Sequence, residues 1–320
     1  GAGEVTGKLI GYDGKEYALP VLLEWTLNYG TGTPCDSFEV RCPWGNGLDG
    51  ALSDAVEFVA EEDGETVFRG VVDEYEWSCG SGGSTLLISG RGMAGRLLDN
   101  EAEPADYQTA TLGDILRDHV TPYGIQTAEG ASLPAVPGFS VESGSSEWQV
   151  LYNFARYYGG VEPCFDRHGI LHLTPWEDGK RLVLDNGAAV EEIRWTEKRY
   201  GVLSEVLVRD RTTQSVQRVV NQSVLDRGGM CRRVLTMPGK SSYQAMRYSG
   251  RFQLEQSAAE RLRLVLTLVG RVEVWPGDLV ELNLERYSLY GEWRVLSTGH
   301  SGDGKGLHTV LELGEREITV

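Results

Sequence analysis

The chain has 320 residues, of which 41% are hydrophobic and 24% charged. These are ordinary values for a globular protein, long enough for about two or more domains without a metal or disulfide staple. Lys and Arg number 30 against 47 Asp and Glu, a net charge of −17. So acidic a surface repels nucleic-acid phosphates and anionic lipid, which argues against nucleic-acid binding and membrane insertion.

Glycine is abundant, 41 residues against a usual share of ~7%. The glycines stand singly between apolar runs, which predicts many tight turns and favours strands over helices. The five cysteines, Cys35, Cys42, Cys79, Cys164 and Cys231, are odd in number and irregular in spacing. No disulfide framework is expected, and a reducing compartment fits them better. The longest apolar run, Leu264 to Val269, is strand-sized, so no transmembrane helix is expected. Gly1-Ala2-Gly3-Glu4 carries neither a basic region nor an apolar core, so no signal peptide is expected.

In chain order, residues 1 to about 100 read as strands and turns. Asp13-Gly14 and Asp63-Gly64 are hairpin turn signals. Val67 to Val72, Tyr75 with Trp77, and Leu86 to Ile88 alternate like strands around a flexible tip at Gly80 to Ser84. Thr111 caps a helix carrying Leu112, Ile115, Leu116 and His119 on one face, with Asp114 complementing its dipole. Ser145-Ser146-Glu147-Trp148 opens a second helix, which Gly159-Gly160 stops. Val161 to Thr174 reads as a hairpin turning at Asp166-Arg167-His168-Gly169.

From about 180 the strand pattern returns, with Val202, Ser204, Val206 and Val208 on one face. Ser241 and Gln244 fit a capping box ahead of a helix with its seam at Ala245, Tyr248, Phe252, Ala259 and Leu262, weakened by Gly250. Trp275-Pro276-Gly277-Asp278 is a type II turn signal. Val280, Leu282 and Leu284 alternate with Glu281, Asn283 and Glu285. The last 50 residues or so read as a small β-barrel.

Candidate chemistry is sparse. Gly45-Asn46-Gly47-Leu48-Asp49-Gly50 matches G-x-G-x-x-G, but the strand-like alternation from Ala55 leaves no helix for a pyrophosphate to cap, so a glycine-rich loop is expected. Cys164, His168 and His172 have zinc-ligand chemistry, but their four-residue spacing falls across a hairpin and no fourth ligand is near. Asp99, Glu101, Glu103 and Asp106 read as a solvated connection rather than a calcium loop or glycosidase pair. Asn221-Gln222-Ser223 is a glycosylation sequon by letter only. Most of the eight tryptophans, Trp77, Trp148 and Trp293 among them, fall at apolar positions and read as core. No catalytic, cofactor-binding or metal-ligating residue is expected.

Three segments carry a resemblance. Phe68-Arg69-Gly70-Val71-Val72, then Ser89-Gly90-Arg91-Gly92-Met93-Ala94-Gly95-Arg96-Leu97-Leu98-Asp99, then Thr111-Leu112-Gly113-Asp114-Ile115-Leu116 resemble, in this order, the baseplate hub proteins of phage tails. That family includes the late control protein D group and prophage tail hubs, and is related to contractile injection and type VI secretion spikes. Trp275 to Val280, Trp293 to Val295 and Thr309 to Leu313 resemble its final barrel. The resemblance implies a mainly β fold with an α+β part. It implies a tail-tube-like β-barrel domain over 1–105, a small α+β domain over 106–178, a second tail-tube-like β domain with a helix over 179–265, and a small C-terminal β-barrel over 266–320.

It further implies a non-enzymatic structural protein of the virion tail baseplate, assembled in the bacterial cytoplasm. Such a hub is a homotrimeric ring that joins the sixfold tail tube to the threefold central spike and touches other baseplate proteins. Two other classes stay open on the residues alone: a tail-associated cell-wall hydrolase and a glycan-binding module.

Overall fold

The first seven strands follow one another closely in the chain. In a computed structural model of the protein, which describes residues 4–30, 36–45, 47–174, 178–237 and 240–316, β1 (Val5–Gly11) turns at Gly14 into β2 (Glu16–Ala18). β3 (Glu24–Gly30), β4 (Ser37–Pro43), α1 (Leu48–Asp54), β5 (Ala55–Glu62), β6 (Glu65–Gly80) and β7 (Gly83–Gly92) follow. Cys35 and Asn46 lie outside the described residues. These strands pair antiparallel in the order β2-β1-β5-β6-β7-β4-β3.

The chain from Ala18 to Glu24 can span at most about 21 Å, whereas a flat seven-stranded sheet would hold β2 and β3 about 29 Å apart. The sheet must therefore curl. Its inner face is filled by Leu9, Leu27, Phe38, Phe58, Phe68 and Ile88.

After α2 (Gly95–Leu98) the pattern turns mixed: β8 (Ala105–Asp106), β9 (Thr109–Ala110), α3 (Leu112–His119), β10 (Val136–Pro137), β11 (Ser140–Val141), α4 (Glu147–Tyr152) with a π-helical turn over Asn153–Tyr158, β12 (Cys164–Phe165) and β13 (Leu171–His172). β8 pairs with β11, β9 with β10, and β12 with β13. The expected caps are present. Thr111 Oγ1 accepts from Asp114 N at 3.1 Å while Asp114 Oδ2 accepts from Thr111 N at 3.0 Å, and Ser146 Oγ accepts from Gln149 N at 3.0 Å.

β14 (Arg181–Asp185) and β15 (Val190–Glu197) come next. The chain then leaves to build β16 (Glu205–Asp210), β17 (Val216–Val220), α5 (Gln222–Asp226), β18 (Arg232–Met237) and α6 (Tyr243–Ala259). It returns as β19 (Leu262–Val269), β20 (Leu279–Leu284), β21 (Leu289–Asp303) and β22 (Gly306–Glu315). The second sheet runs β14-β20-β21-β22-β19-β15, antiparallel except for the β14–β20 pair. Asp185 to Val190 reaches at most about 17 Å against about 24 Å across a flat six-stranded sheet, so this sheet curls as well. Leucines dominate its core, from Leu184 through Leu264, Leu266, Leu282 and Leu311 to Leu313.

The fold is mainly β, with 47% of the described residues in strands and 20% in helices. Three expectations are corrected. The boundary set at 265/266 cuts through β19, and the last strands are not a separate small barrel: they share one curled sheet with β14 and β15. The segment from β16 to α6 belongs elsewhere. Its Val206, Val208, Val219, Met246 and Leu254 share a continuous core with Ile115, Leu151 and Phe154 of the mixed region. The reason is that β14 and β15 find their partners about 70 to 100 residues away, where no local pattern announces pairing.

The helix cap is Ser242, not Ser241: its Oγ accepts from Ala245 N at 3.0 Å. The acidic connection is not a bare solvated linker either. Asp99 takes both terminal nitrogens of Arg91 at 2.9 and 2.7 Å, Ala102 N donates to Ser145 O at 2.8 Å, and Glu147 N donates to Asn100 O at 2.8 Å.

The two curled sheets are one hydrogen-bonded surface. The first half of β21 pairs with β20. After a bulge between Val295 and Ser297 its second half pairs on that edge with β3, Ser297 to Gly302 facing Gly30 to Trp25.

Candidate functional site

The seam between the sheets gathers polar and aromatic side chains from three parts of the chain. The Trp275–Asp278 turn forms as expected: Gly277 has φ +97°, Asp278 N donates to Trp275 O at 3.0 Å, and Asp278 Oδ2 accepts from Trp275 N at 2.9 Å. The turn carries the Trp275 ring across to the first sheet. There it meets Tyr29 edge-on, centroids 5.0 Å apart, and lies 5.0 Å from the His300 ring. The Arg167 guanidinium, from the β12–β13 turn, sits 4.3 Å from the centroid of Trp275. Arg271 crosses the same seam to Glu62, with contacts of 3.1 and 3.3 Å. Both sheets and the mixed region thus meet at one tryptophan.

A cleft of about 300 Å³ opens here, lined by Tyr29, Asp36, Cys164, Asp166, Arg167 and His172 together with Trp275. Burial shifts the titratable groups in and beside it. Burial pushes the Asp36 carboxyl up to about 7, against a hydrogen bond from Gly30 N that favours the charged form. Burial pushes the Cys164 thiol up to about 11, so it stays protonated and poorly nucleophilic. Burial pushes His300 down to about 3, with the Arg271 charge adding to it, so the ring is neutral.

The hairpin does bring Cys164 and His172 together as cross-strand partners. His172 Nε2, however, lies 2.7 Å from Asp166 Oδ2, and His168 Nδ1 is 3.9 Å from Asp166. Among the described residues no group of three or more His, Cys, Asp or Glu side chains is arranged to hold a metal ion.

A second network escaped the sequence reading. Tyr107 OH donates to Asp118 Oδ2 at 2.7 Å and lies 2.9 Å from His119 Nε2. His119 Nδ1 is 2.6 Å from Glu147 Oε2, and Tyr123 OH donates to Glu147 Oε1 at 3.0 Å. A His–Glu pair can serve as a general base. Here both side chains are about 95% buried, so the pair ties α3 to α4 and presents no face to a substrate. Only the helical spacing of His119 could have flagged it.

The remaining candidates fall as follows. Contrary to expectation, a helix does follow the glycine-rich segment. α1 is only seven residues long, Asp49 places a carboxylate in its first turn, and β4 and β5 are not neighbours, so no βαβ phosphate cradle forms. Asn221 is buried and caps α5, accepting from Val224 N. Glu101, Glu103 and Asp106 are exposed, and Asp106 Oδ1 accepts from Ser140 Oγ at 2.7 Å. Trp148 and Trp293 are core residues as expected. Trp77 is not: it is 51% exposed and stacks on Trp44 at 5.1 Å, because the β6–β7 hairpin outruns the sheet that would cover it.

No known family's sequence pattern matches the chain, and no curated protein is similar to it. Solved structures are similar in fold. A tail protein from Neisseria meningitidis is 18% identical with a TM-score of 0.78, the match covering 98% of this chain and 96% of that one. The 43 kDa tail protein of a Shewanella oneidensis prophage is 19% identical with a TM-score of 0.73, covering 98% of each. An Escherichia coli component of the type VI secretion system, described as similar to tail proteins of phage T4, is 11% identical with a TM-score of 0.61, covering 92% of this chain and 74% of that one. The chain therefore has the fold of phage tail proteins.

Proposed function

We propose that the protein is a structural baseplate hub of a phage tail or phage-tail-like particle, and not an enzyme. Three copies form a ring that joins a sixfold tail tube to a threefold central spike, with other baseplate proteins around it. It works at the virion tail baseplate after assembly in the bacterial cytoplasm.

The observation that carries this reading is the pair of curled sheets in one chain, fused through β3 and β21. Three chains then present six curled sheets, a count that can meet a sixfold tube on one side and a threefold spike on the other. Closed symmetry lets one set of contacts serve every subunit. The aromatic seam fits the role, since a ring under load needs its two sheets held in fixed relation.

The test is the mass of the full chain in solution. Light scattering at high protein concentration is expected to give about three times 35.2 kDa, and sedimentation with purified tube or spike protein is expected to show complex formation. A chain that stays at 35.2 kDa and sediments with neither overturns the reading.

A further inference from the structure

The net charge of −17 is unevenly spread. Residues 4–92 hold 16 Asp and Glu against 5 Lys and Arg, whereas residues 198–261 hold 12 Lys and Arg against 5 Asp and Glu. Each of these two regions also leaves a strand edge unpaired among the described residues. In the basic region the sheet runs β17-β16-β18, so β17 is an outer strand. A groove of about 390 Å³ runs between Val219 and Val220 of β17 and the first turns of α6, walled by Tyr243, Arg247, Tyr248 and Arg251. Arg247 makes no ion pair among the described residues, and Arg251 lies 3.4 Å from Glu255.

In the acidic region β6 pairs with β5 only as far as Val71. Beyond the bulge between Val72 and Glu74 it pairs with β7 alone. Its stretch Glu74–Gly80 is a free edge, exposed at every residue. Glu74 and Glu76 project from one face, and Tyr75 and Trp77 from the other. Unpaired edges of this kind are templates for pairing with another chain.

We propose that the Glu74–Gly80 edge of one copy docks along β17 in the β17–α6 groove of a second copy, with Glu74 and Glu76 facing Arg247 and Arg251. This rests on the trimeric hub reading. Main-chain hydrogen bonds between the two edges supply affinity, and the opposed charges select the partner and steer the encounter. No hydrogen bond or ion pair joins the two segments within one chain among the described residues. Two different surfaces that fit each other make a head-to-tail contact, and such contacts close into rings when the rotation allows. Docking of this kind builds a ring rather than a twofold dimer.

Sedimentation velocity on the full chain tests it. The wild type is expected near three times 35.2 kDa. Glu74→Lys with Glu76→Lys, and separately Arg247→Glu with Arg251→Glu, are expected to need at least ~10-fold more protein to assemble, since like charges then face each other. All four substitutions in one chain are expected to restore assembly, with circular dichroism confirming that every variant folds. Reversed variants that assemble like wild type overturn the docking and leave the trimer standing. A wild type that stays monomeric, both alone and with tube or spike protein added, overturns both.

A charge-independent probe uses Cys79, which is exposed in the same arm. Gln244→Cys in the groove is expected to give disulfide-linked multimers on oxidation, lost when Cys79→Ser is added. Absence of such multimers above the wild-type background counts against the docking.

Discussion

The two curled sheets solve one packing problem with different materials. The first closes around aromatic rings: Phe38 stacks on Phe58 at 4.1 Å and meets Phe68 at 5.5 Å. The second closes around leucines, contributed by β14, β19, β20 and β22. The first is built from one uninterrupted stretch of chain, β1 to β7. The second is interrupted between β15 and β19 by the basic segment that supplies the β17–α6 groove. The aromatic sheet also gives up cover at one end, where β6 and β7 run on as an exposed acidic arm. The lesson is that the interior composition of a curled sheet is exchangeable, while its edges and insertions carry the difference in role.

The sharpest way to break this comparison is to empty each core in turn. Phe58→Ala removes a ring with no exposed surface and should cost about 3–5 kcal/mol, whereas Leu282→Ala should cost about 2–5 kcal/mol. Because β3 and β21 are hydrogen-bonded along Trp25 to Gly30, both substitutions should lower one shared melting transition. Calorimetry showing two transitions, with each variant moving only one, would mean the sheets are independent domains that merely touch.

Glycines expose the limits of reading the sequence. Gly250 looks like a flaw in α6, where alanine is ordinarily better by about 1 kcal/mol. In the structure a Cβ there would stand 2.7 Å from Val219 Cγ2 and 3.0 Å from Val208 Cγ2, both on stiff β-branched side chains. Gly250→Ala should therefore destabilise by about 1–3 kcal/mol, and chemical denaturation would show the sign. The hairpins at Gly14 and Gly64, the caps at Thr111 and Ser146, and the Trp275–Asp278 turn were legible because each is decided within a few residues. The β14–β20, β15–β19 and β3–β21 pairings were not, since their partners lie about 70 to 270 residues apart and alternation says nothing about which strand comes alongside. The seam site was half legible. Cys164, His172 and Trp275 drew notice for chemistry or turn geometry, but Asp36 and Arg271 acquire meaning only once three distant segments meet.

The seam should also make stability depend on pH from both sides. Burial raises Asp36 to about 7 from a usual value near ~3.9. Between those limits the folded chain keeps a proton that the unfolded chain has lost, so stability falls as pH rises through that window. Burial lowers His300 to about 3 from a usual ~6.5. Below that usual value the unfolded chain gains a proton that the folded chain refuses, so stability falls as pH drops towards 3. Asp36→Asn should raise Tm over wild type at pH 8 by more than at pH 5, and His300→Phe should flatten the acid limb. Parallel Tm curves for Asp36→Asn and wild type would mean that Asp36 is not desolvated in the seam.

The smallest expected effect is the most exacting check on the second sheet. Glu281 sits beside Leu282 in β20 but on the opposite face, with its side chain 46% exposed and an oxygen 3.7 Å from Arg181. An exposed pair of this kind is worth about 0–1 kcal/mol, and Arg181 keeps its contact to Glu292 when Glu281 is removed. Glu281→Ala should therefore move stability by no more than about 0.5 kcal/mol, while Leu282→Ala one residue away costs several times that. Thermal melts of the two variants at equal concentration decide it. A Glu281→Ala cost as large as that of Leu282→Ala would place this outer face in contact with a second subunit. In that case Tm would rise with protein concentration in the wild type and lose that dependence in the variant, because binding between folded chains stabilises by mass action.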